Sequence, residues 1–286
     1  MLKETRTRQV EARTQEATPA TPDVEFVLPA YNEEEEIGLA VTLLSQWLRR
    51  NVSFTWKVTV ADNASTDRTL AIARRMHQSD PQHVGVIHLD EKGRGRALKR
   101  AWTASSARVV AYMDVDLSTG LDAIPALVTP LLAGSADVAF GSRLSRDSHT
   151  MRCLKREFIS RCYNLLLNLA FAYHVPDAQC GFKAMRTQVA RTFLPLVQDD
   201  EWFFDTELLV VSRRAGLVMQ EVPVTWVEDP GTSVNIPRTV AQDLRGVHRL
   251  RKALRSHRLD AQIAAVLPNA TERGAGTWTA TRQERI

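Results

Sequence analysis

The sequence predicts an α/β protein whose central, mostly parallel sheet is covered by helices on both faces. Strand and helix patterns alternate five times between residues 24 and 143. The strand patterns are apolar runs with few polar breaks, which is typical of strands buried on both faces of a sheet. Apolar residues make up 44% of the 286 residues, which is ample for one large core.

The first strand covers residues 24–28 and ends at Pro29. Asn32 follows as the expected N-cap of a helix, and the glutamates at 33–36 fill its first turn, where negative charge is favourable. This helix continues to about residue 50, because apolar residues recur on one stripe. The stripe consists of Ile37, Val41, Leu44 and Leu48.

The second and third strands are each followed by polar segments. Residues 56–61 form the second strand, and residues 62–69 after it are predicted to form a turn and an N-cap at a place where a nucleotide would bind. The third strand, 84–89, precedes a basic segment that either faces phosphate or begins a solvated helix. Its cations are Lys92, Arg94, Arg96 and Lys99.

The fourth strand, residues 109–113, runs directly into Asp114 and Asp116. In an extended segment residues i and i+2 point the same way, so both carboxylates can face one Mg²⁺ or Mn²⁺, which can in turn hold a diphosphate. A solvated turn would give the same pattern. A fifth strand, 136–140, completes the alternation.

The second half of the chain changes character. Residues 143–157 contain five Arg or Lys and are predicted to form a mobile basic loop that acts as a flap. A helix over 158–173 is apolar nearly all round, so it is either buried or meets lipid on one face. Residues 217–227 alternate as a strand, which Pro223 places at an edge. Residues 238–258 predict a basic amphipathic helix that lies on anionic lipid or packs on the sheet.

The net charge of +4 permits an anionic partner. Nucleic acid is not expected, because the basic loop lacks interleaved aromatic residues. No apolar run reaches 18 residues, and no signal-peptide pattern is present. Three sparse cysteines fit a reducing compartment. We therefore expect a cytoplasmic protein, with peripheral contact at the inner face of the membrane.

Composition predicts three regions along the chain. Residues 1–22 are polar and threonine-rich and are expected to be a disordered tail. Residues 23–260 are expected to form one domain, and residues 261–286 a second disordered tail.

Eight motifs in a fixed order support a resemblance to a known family: LPAYNEE, DNASTD, EKGRGRALKRA, MDVDLST, GSR, DAQCGFK, FFDTELL and EVPVTW. The set resembles the inverting family 2 glycosyltransferases of the nucleotide-diphosphosugar transferase (GT-A) fold, and among them the polyprenyl-phosphate sugar synthases. The last three motifs are most similar to the dolichyl-phosphate β-glucosyltransferase branch. The resemblance implies that residues 23–142 bind the nucleotide sugar and residues 143–260 the acceptor.

The resemblance also implies roles for matched residues. Those expected at the nucleotide sugar are Pro29, Ala30, Tyr31, Glu33, Asp62, Lys92, Arg96, Asp114, Val115 and Asp116. Asp116 is the expected direct metal ligand, assisted by Asp114 and by Ser118, which replaces a glutamine of related synthases. Those expected at the acceptor are Arg143, Arg156 and Ser160 on the lipid phosphate, with Asp205 and Glu207 nearby.

The implied reaction is transfer of a sugar, best matched by glucose from UDP-glucose, with inversion onto a polyprenyl monophosphate. A phosphate is anionic at neutral pH, so this acceptor needs no strong base. A soluble transferase with a hydroxyl acceptor is the alternative, and it would need Asp205 as base. A non-catalytic sugar-nucleotide binder is a third hypothesis, which the intact Asp114 and Asp116 pair disfavours.

Overall fold

The computed structural model describes residues 21–145, 147–151, 154–171, 177–227, 236–267 and 278–280, with only the backbone described for 149–151, 154–162, 236–238 and 278–280. The strands in these segments are β1 (Val24–Ala30), β2 (Trp56–Asn63), β3 (Val84–Leu89), β4 (Val109–Met113), β5 (Val138–Ser142), β6 (His149–Met151), β7 (Phe182–Arg186), β8 (Met219–Pro223), β9 (Thr225–Val227) and β10 (Trp278–Ala280). The helices are α1 (Ile37–Asn51), α2 (Thr69–Ser79), α3 (Arg94–Ala104), α4 (Ile124–Leu132), α5 (Leu154–Phe171), α6 (Thr187–Phe193), α7 (Phe204–Arg214), α8 (Ile236–Arg255) and α9 (Arg258–Val266).

A sheet with the strand order β10-β8-β5-β7-β4-β1-β2-β3 forms the centre of the described chain. Its neighbouring strands run parallel, except that β7 is antiparallel to both β4 and β5. The predicted α/β class with a mostly parallel sheet is therefore confirmed. A smaller sheet pairs β6 with β9.

The central sheet is buried on both faces, because successive residues of each strand enter opposite apolar layers. In β1, Phe26 and Leu28 pack in one layer and Val27 in the other. The predicted stripe of α1 is buried in the first layer, and α3 contributes Trp102 to the second. Each large side chain buried in this way stabilises the fold by about 1.5–3 kcal/mol.

The first helix begins later than predicted. It starts at Ile37, so Asn32 is not its N-cap and residues 33–36 precede it as a turn. Asn32 instead has a left-handed backbone (φ 56°), which asparagine tolerates better than most residues, and its Oδ1 accepts a hydrogen bond from the Thr66 backbone N–H at 2.8 Å. Asn32 thereby joins the loops that follow β1 and β2.

The predicted strand 217–227 is two strands, β8 and β9. β8 has neighbours on both sides, so its predicted edge position is wrong. Pro223 is tolerated because β10 pairs only with residues 219–221, leaving the proline beyond that ladder. The predicted loop 143–157 also differs, since it contains β6 and the first turn of α5.

The end of the domain also differs from the prediction. The expected helix over 238–258 is present as α8, but α9 continues to Val266 and β10 lies in the segment expected to be a disordered tail. Val247 and Leu250 of α8 are buried, whereas Val240 and Leu244 are about half exposed. The expected N-terminal tail, 1–22, lies outside the described residues up to residue 20.

Candidate active site

The candidate site lies where β1, β2 and β4 end, at the carboxyl edge of the parallel strands. Strand register brings its parts together: Ala30 pairs with Asp62, and Asp62 pairs in turn with His88. Tyr31 follows β1 directly, and Asp114 follows β4. Residues predicted from three separate motifs thus share one edge.

Asp62 and Tyr31 form the side of the site expected to bind the base. Asp62 is fully buried, and its Oδ2 lies 2.6 Å from Nδ1 of His88. Its Oδ1 has no hydrogen-bond partner among the described residues. The exposed Lys92 places its Nζ 3.3 Å from the centroid of the Tyr31 ring, a cation–π contact. A buried acceptor atom and an aromatic ring are therefore available beside the end of β1, where Pro29 and Ala30 lie.

Glu33 lies half-buried beside the same edge, where its backbone N–H donates to Thr69 Oγ1 at 2.8 Å. Burial raises the pKa of Glu33 to about 7, and surrounding carboxylates add to the rise. These carboxylates are Glu36, Asp116, Asp67 and Asp114. A cation at this edge would offset that concentration of negative charge.

The two aspartates after β4 lie on a turn, not on an extended segment. The Leu117 N–H donates to the Asp114 carbonyl at 3.2 Å, and Leu117 has a positive φ of 48°. The expectation that both side chains point the same way because the chain is extended is therefore wrong. Val115, expected at the nucleotide sugar, is buried between them.

Asp116 is exposed, and its Oδ1 accepts a hydrogen bond from the Ser118 N–H at 2.9 Å. Oγ of Ser118 is buried and has no hydrogen-bond partner among the described residues. Among all the residues that the structure describes, no group of three or more His, Cys, Asp or Glu side chains is arranged as a metal centre. An exposed carboxylate and an unpartnered hydroxyl fit a divalent cation whose other ligands come from a diphosphate or water.

Asp114 is held between Arg94 and the backbone of Gly181. Its Oδ1 accepts from Arg94 Nη2 at 2.6 Å. A Cβ atom on Gly181 would lie only 1.7 Å from Oδ2 of Asp114, so Asp114 can keep this position only beside a glycine. The position of the first aspartate therefore depends on the loop that precedes β7.

Asp205 lies at the start of α7 and joins a buried network with Arg94. It accepts hydrogen bonds from Arg94 Nη1, from the Tyr112 hydroxyl and from Lys183 Nζ, the last at 2.9 Å. Lys183 is fully buried in β7 and also donates to the carbonyls of Ala178 (2.9 Å) and Cys180 (2.6 Å). Two cations thus balance two carboxylates: Asp205 inside the protein, and Asp114, whose side chain is about half exposed, at the site.

This network makes Asp205 a poor general base. Burial alone would raise its pKa, but the charges of Lys183 and Arg94 and the hydrogen bond from Tyr112 outweigh burial and lower the pKa below its usual range. The side chain is also almost inaccessible to solvent. The alternative that needs Asp205 as base is therefore not supported, and Asp205 positions Arg94 instead.

Arg143 is expected to bind the lipid phosphate but is paired with Asp177. Its Nε and Nη2 donate to the two carboxylate oxygens at 2.7 Å each, and its backbone N–H donates as well. Its guanidinium carbon lies 5.4 Å from the ring centroid of Trp226. A phosphate at this position would therefore meet an ion pair, not a free cation.

The remaining expected residues are placed as follows. Arg96 pairs with Glu91 at 2.6 Å and with Asp200 at 3.4 Å, so two carboxylates already engage its charge. Glu207 is buried and accepts from Arg249 Nη2 of α8 at 2.8 Å. Arg156 and Ser160 lie on α5, where the structure describes only their backbone, so their acceptor role stays a prediction.

Sequence patterns did not indicate the roles of Lys183, Tyr112, His88 and Asp177. Lys183 could have been found, because a lysine inside the apolar strand FKAM must be paired when it is buried. The other three give no local signal, since their partners are 26 to 93 residues away along the chain.

A model of the family described as glycosyl transferase family 2 matches residues 25–194. The match includes the ends of β1, β2 and β4, with Asp62, Asp114 and Asp116. The chain belongs to this family. Asp205 lies outside the matched region of this glycosyltransferase, although it contacts Arg94 within it.

Several curated proteins are similar to this family 2 glycosyltransferase. It is 36% identical over 238 residues to glycosyltransferase AglD of Haloferax volcanii, covering 82% of the chain but 38% of AglD. It is 28% identical over 221 residues to the dolichyl-phosphate beta-glucosyltransferase ALG5C of Trichomonas vaginalis, covering 74% of the chain and 66% of that protein. The chain therefore spans about a third to two thirds of the length of these relatives. The resemblance to the dolichyl-phosphate glucosyltransferases is confirmed.

Solved structures support the fold of this glycosyltransferase. Glucosyl-3-phosphoglycerate synthase of Mycobacterium tuberculosis in complex with UDP superposes with a TM-score of 0.60 at 20% identity, over 80% of each chain. The same synthase with Mn²⁺, UDP-glucose and glycerol 3-phosphate gives a TM-score of 0.59 at 20% identity, again over 80% of each chain. The predicted GT-A fold is thereby confirmed.

Proposed function

We propose that this glycosyltransferase moves glucose from UDP-glucose, with inversion, onto a polyprenyl phosphate at a membrane surface, with Mg²⁺ or Mn²⁺. The observation that carries the proposal is that β1, β2 and β4 end at one edge of the sheet, where Oδ1 of Asp62 is buried without a hydrogen-bond partner and Asp116 is exposed. The names of the dolichyl-phosphate glucosyltransferase relatives support the lipid acceptor. The fold neighbour that binds UDP-glucose and Mn²⁺ supports the donor.

In the proposed donor complex, Asp62 accepts a hydrogen bond from the base and Tyr31 contacts it through its ring. Asp116 would hold the divalent cation, assisted by Ser118. When bound, the cation neutralises charge on the departing nucleoside diphosphate. Asp114 is already paired with Arg94 at 2.6 Å, so its task is to fix the local charge and geometry beside the sugar.

The proposed acceptor needs no proton removed, because a phosphate monoester is already ionised at neutral pH. This fits a site in which Asp205 is buried and paired with two cations. The Arg143–Asp177 pair would orient the phosphate without adding net charge. Arg156 and Ser160 complete the proposed acceptor site by resemblance.

Helices α5 and α8 pack together, and each exposes large apolar side chains, which we call together the α5–α8 surface. It is formed by Leu165, Leu169, Val240 and Leu244, which are 46% to 73% exposed. Arg245, Arg251, Lys252 and Arg255 lie exposed on α8. Apolar residues beside cations are typical of a surface that binds anionic lipid, and we propose that this one brings the site to its lipid acceptor. Across the described residues, no helix is both long enough and apolar enough to span a bilayer.

The proposal is tested by incubating the protein with a panel of sugar nucleotides, Mg²⁺ or Mn²⁺, and a short polyprenyl phosphate, followed by mass spectrometry. Glycosylated polyprenyl phosphate is the expected product. Transfer to a hydroxyl acceptor, with none to the polyprenyl phosphate, would refute the proposal.

Two variants separate the donor and acceptor sites. Asp116→Asn should abolish metal-dependent turnover without unfolding the protein, because its side chain is exposed. Arg156→Ala should raise the KM for polyprenyl phosphate far more than the KM for the sugar nucleotide. Equal changes in both constants would show that the acceptor site is misplaced.

A further inference from the structure

His88 contacts the site but is not part of any motif that the resemblance assigns. It lies on β3, directly opposite Asp62 of β2 in the strand register. Its Nδ1 lies 2.6 Å from Oδ2 of Asp62. In the part of the chain that the structure describes, no other side chain or backbone group hydrogen-bonds to that carboxylate, whose Oδ1 is left without a partner.

We propose that His88 is a positioning residue, which orients Asp62 so that Oδ1 can accept a hydrogen bond from the donor's nucleobase. The inference rests on the proposed function, because it requires a nucleotide at this edge. His88 would contribute to the affinity for the nucleobase, and not to the binding of the diphosphate or the acceptor.

The need for a positioning residue follows from the chemistry of Asp62. A terminal carboxylate rotates easily about its last torsion, which is broad and two-fold. Asp62 is fully buried, so a rotation that broke its hydrogen bond would leave a charged group without a partner. A charge-assisted hydrogen bond from His88 fixes one oxygen and thereby determines where the other lies.

The contact also defines which ring nitrogen matters. Because a carboxylate oxygen accepts, Nδ1 of His88 must carry a proton. Nε2 lies 3.6 Å from Oδ1 of Asp90, whose side chain is fully exposed, so this second interaction is weak. Only a donor at the Nδ1 position should orient Asp62.

Asparagine and glutamine form a matched pair of substitutions. The amide nitrogen of asparagine can replace Nδ1 of histidine, whereas that of glutamine lies further out, near the position of Nε2. Both are neutral and similar in polarity. His88→Asn should therefore keep the contact with Asp62, and His88→Gln should lose it.

The experiment is calorimetric titration of UDP, in Mg²⁺ at one pH, into wild type, His88→Asn and His88→Gln. We expect the Kd of His88→Asn to stay within about threefold of wild type. His88→Gln should weaken UDP binding about tenfold or more, the loss typical of a hydrogen bond to a charged group. In turnover assays the KM for the donor should rise similarly, while kcat and the KM for the acceptor stay unchanged.

Two controls make the inference refutable. Inorganic pyrophosphate has no base, so its Kd should be equal in all three proteins. In an Asp62→Asn background, His88→Gln should cause no further loss of UDP affinity. Equal weakening by both His88 variants, or a parallel loss of pyrophosphate binding, would overturn the role of His88. If wild type fails to bind UDP, the proposed function fails and this inference fails with it.

Discussion

Replacing Asp205 by asparagine should strongly destabilise the protein. The carboxylate of Asp205 lies between Arg94 and Lys183, and both of these cations are buried. Asp205→Asn leaves Lys183 without its carboxylate partner and places an amide that can donate beside groups that only donate. Breaking a buried ion pair by removing one partner costs about 3–5 kcal/mol. For a domain of this size that loss lowers the Tm by roughly 6–20 °C.

Urea unfolding followed by tryptophan fluorescence measures this loss, since the chain contains six tryptophans. Asp260→Asn is a matched control, because Asp260 forms a comparable pair with Arg214 at 2.7 Å but on the exposed surface. It should cost less than about 1 kcal/mol.

A second substitution tests the balance of charge directly. Lys183→Met removes the cation that Asp205→Asn leaves without a carboxylate, so the double variant should be more stable than the sum of the two single losses predicts. The coupling energy should fall within about 0.5–3 kcal/mol, the range for residues that share one network.

The reasoning is refuted if Asp205→Asn costs no more than the surface control Asp260→Asn. Unchanged stability together with lost turnover would instead restore Asp205 as a general base. The pKa of Asp205 lies below its usual range, so its stabilising contribution is present above pH 4 and should disappear only at acid pH.

Three further predictions concern the donor site and the proposed membrane surface. Burial raises the pKa of Glu33 to about 7, so its contribution to stability is full below pH 4.5 and is lost as the pH rises towards 7. In Glu33→Gln the Tm, measured across this pH range, should therefore fall less with rising pH than in wild type. Gly181→Ala should lower kcat about a hundredfold in steady-state assays, because its Cβ displaces Asp114, and an unchanged kcat would contradict the close approach. Leu169→Ser should weaken sedimentation with anionic liposomes about fivefold or more, whereas Leu39→Ser, 62% exposed on α1, should not; equal effects would exclude the α5–α8 surface.

The first half of the fold could be predicted closely because its signals are local. Strands such as Val109–Met113 are apolar runs, and the α1 stripe repeats at helical spacing. The start of α1 was misplaced because Asn32 and four glutamates satisfy every local rule for a helix start, while the Thr66 N–H, from the next βα loop, engages Asn32 instead. Tertiary contact overrode local preference there.

The second half was harder to predict because its order in space differs from its order in sequence. β7 runs antiparallel between β4 and β5, and nothing in the alternating pattern indicates a strand that reverses direction. The alternation over 217–227 is real, but Pro223 ends one strand and the chain enters a second sheet. Periodicity identifies strands and does not identify their partners.

At the site, the sequence motifs identify the residues but not the role of each one. Motifs located Asp62, Asp114 and Asp116 at one strand edge, because parallel strands end on the same side. The expected uses of Asp205 and Arg143 did not allow for Lys183 and Asp177, whose charges already pair with them. A charged residue's task depends on its partner, and a single sequence does not show partners that lie far along the chain.

The division of the domain into a donor half, 23–142, and an acceptor half, 143–260, does not correspond to separable units. β7 from the second half pairs directly with β4 from the first, and Gly181 before it provides the space that Asp114 occupies. Arg94 from the first half contacts Asp114 and Asp205 at once. A displacement of residues 143–260 would therefore move Asp114, the carboxylate proposed to lie beside the sugar diphosphate. For this reason substitutions in β7 should alter kcat as well as the KM for the acceptor, even where they touch neither substrate.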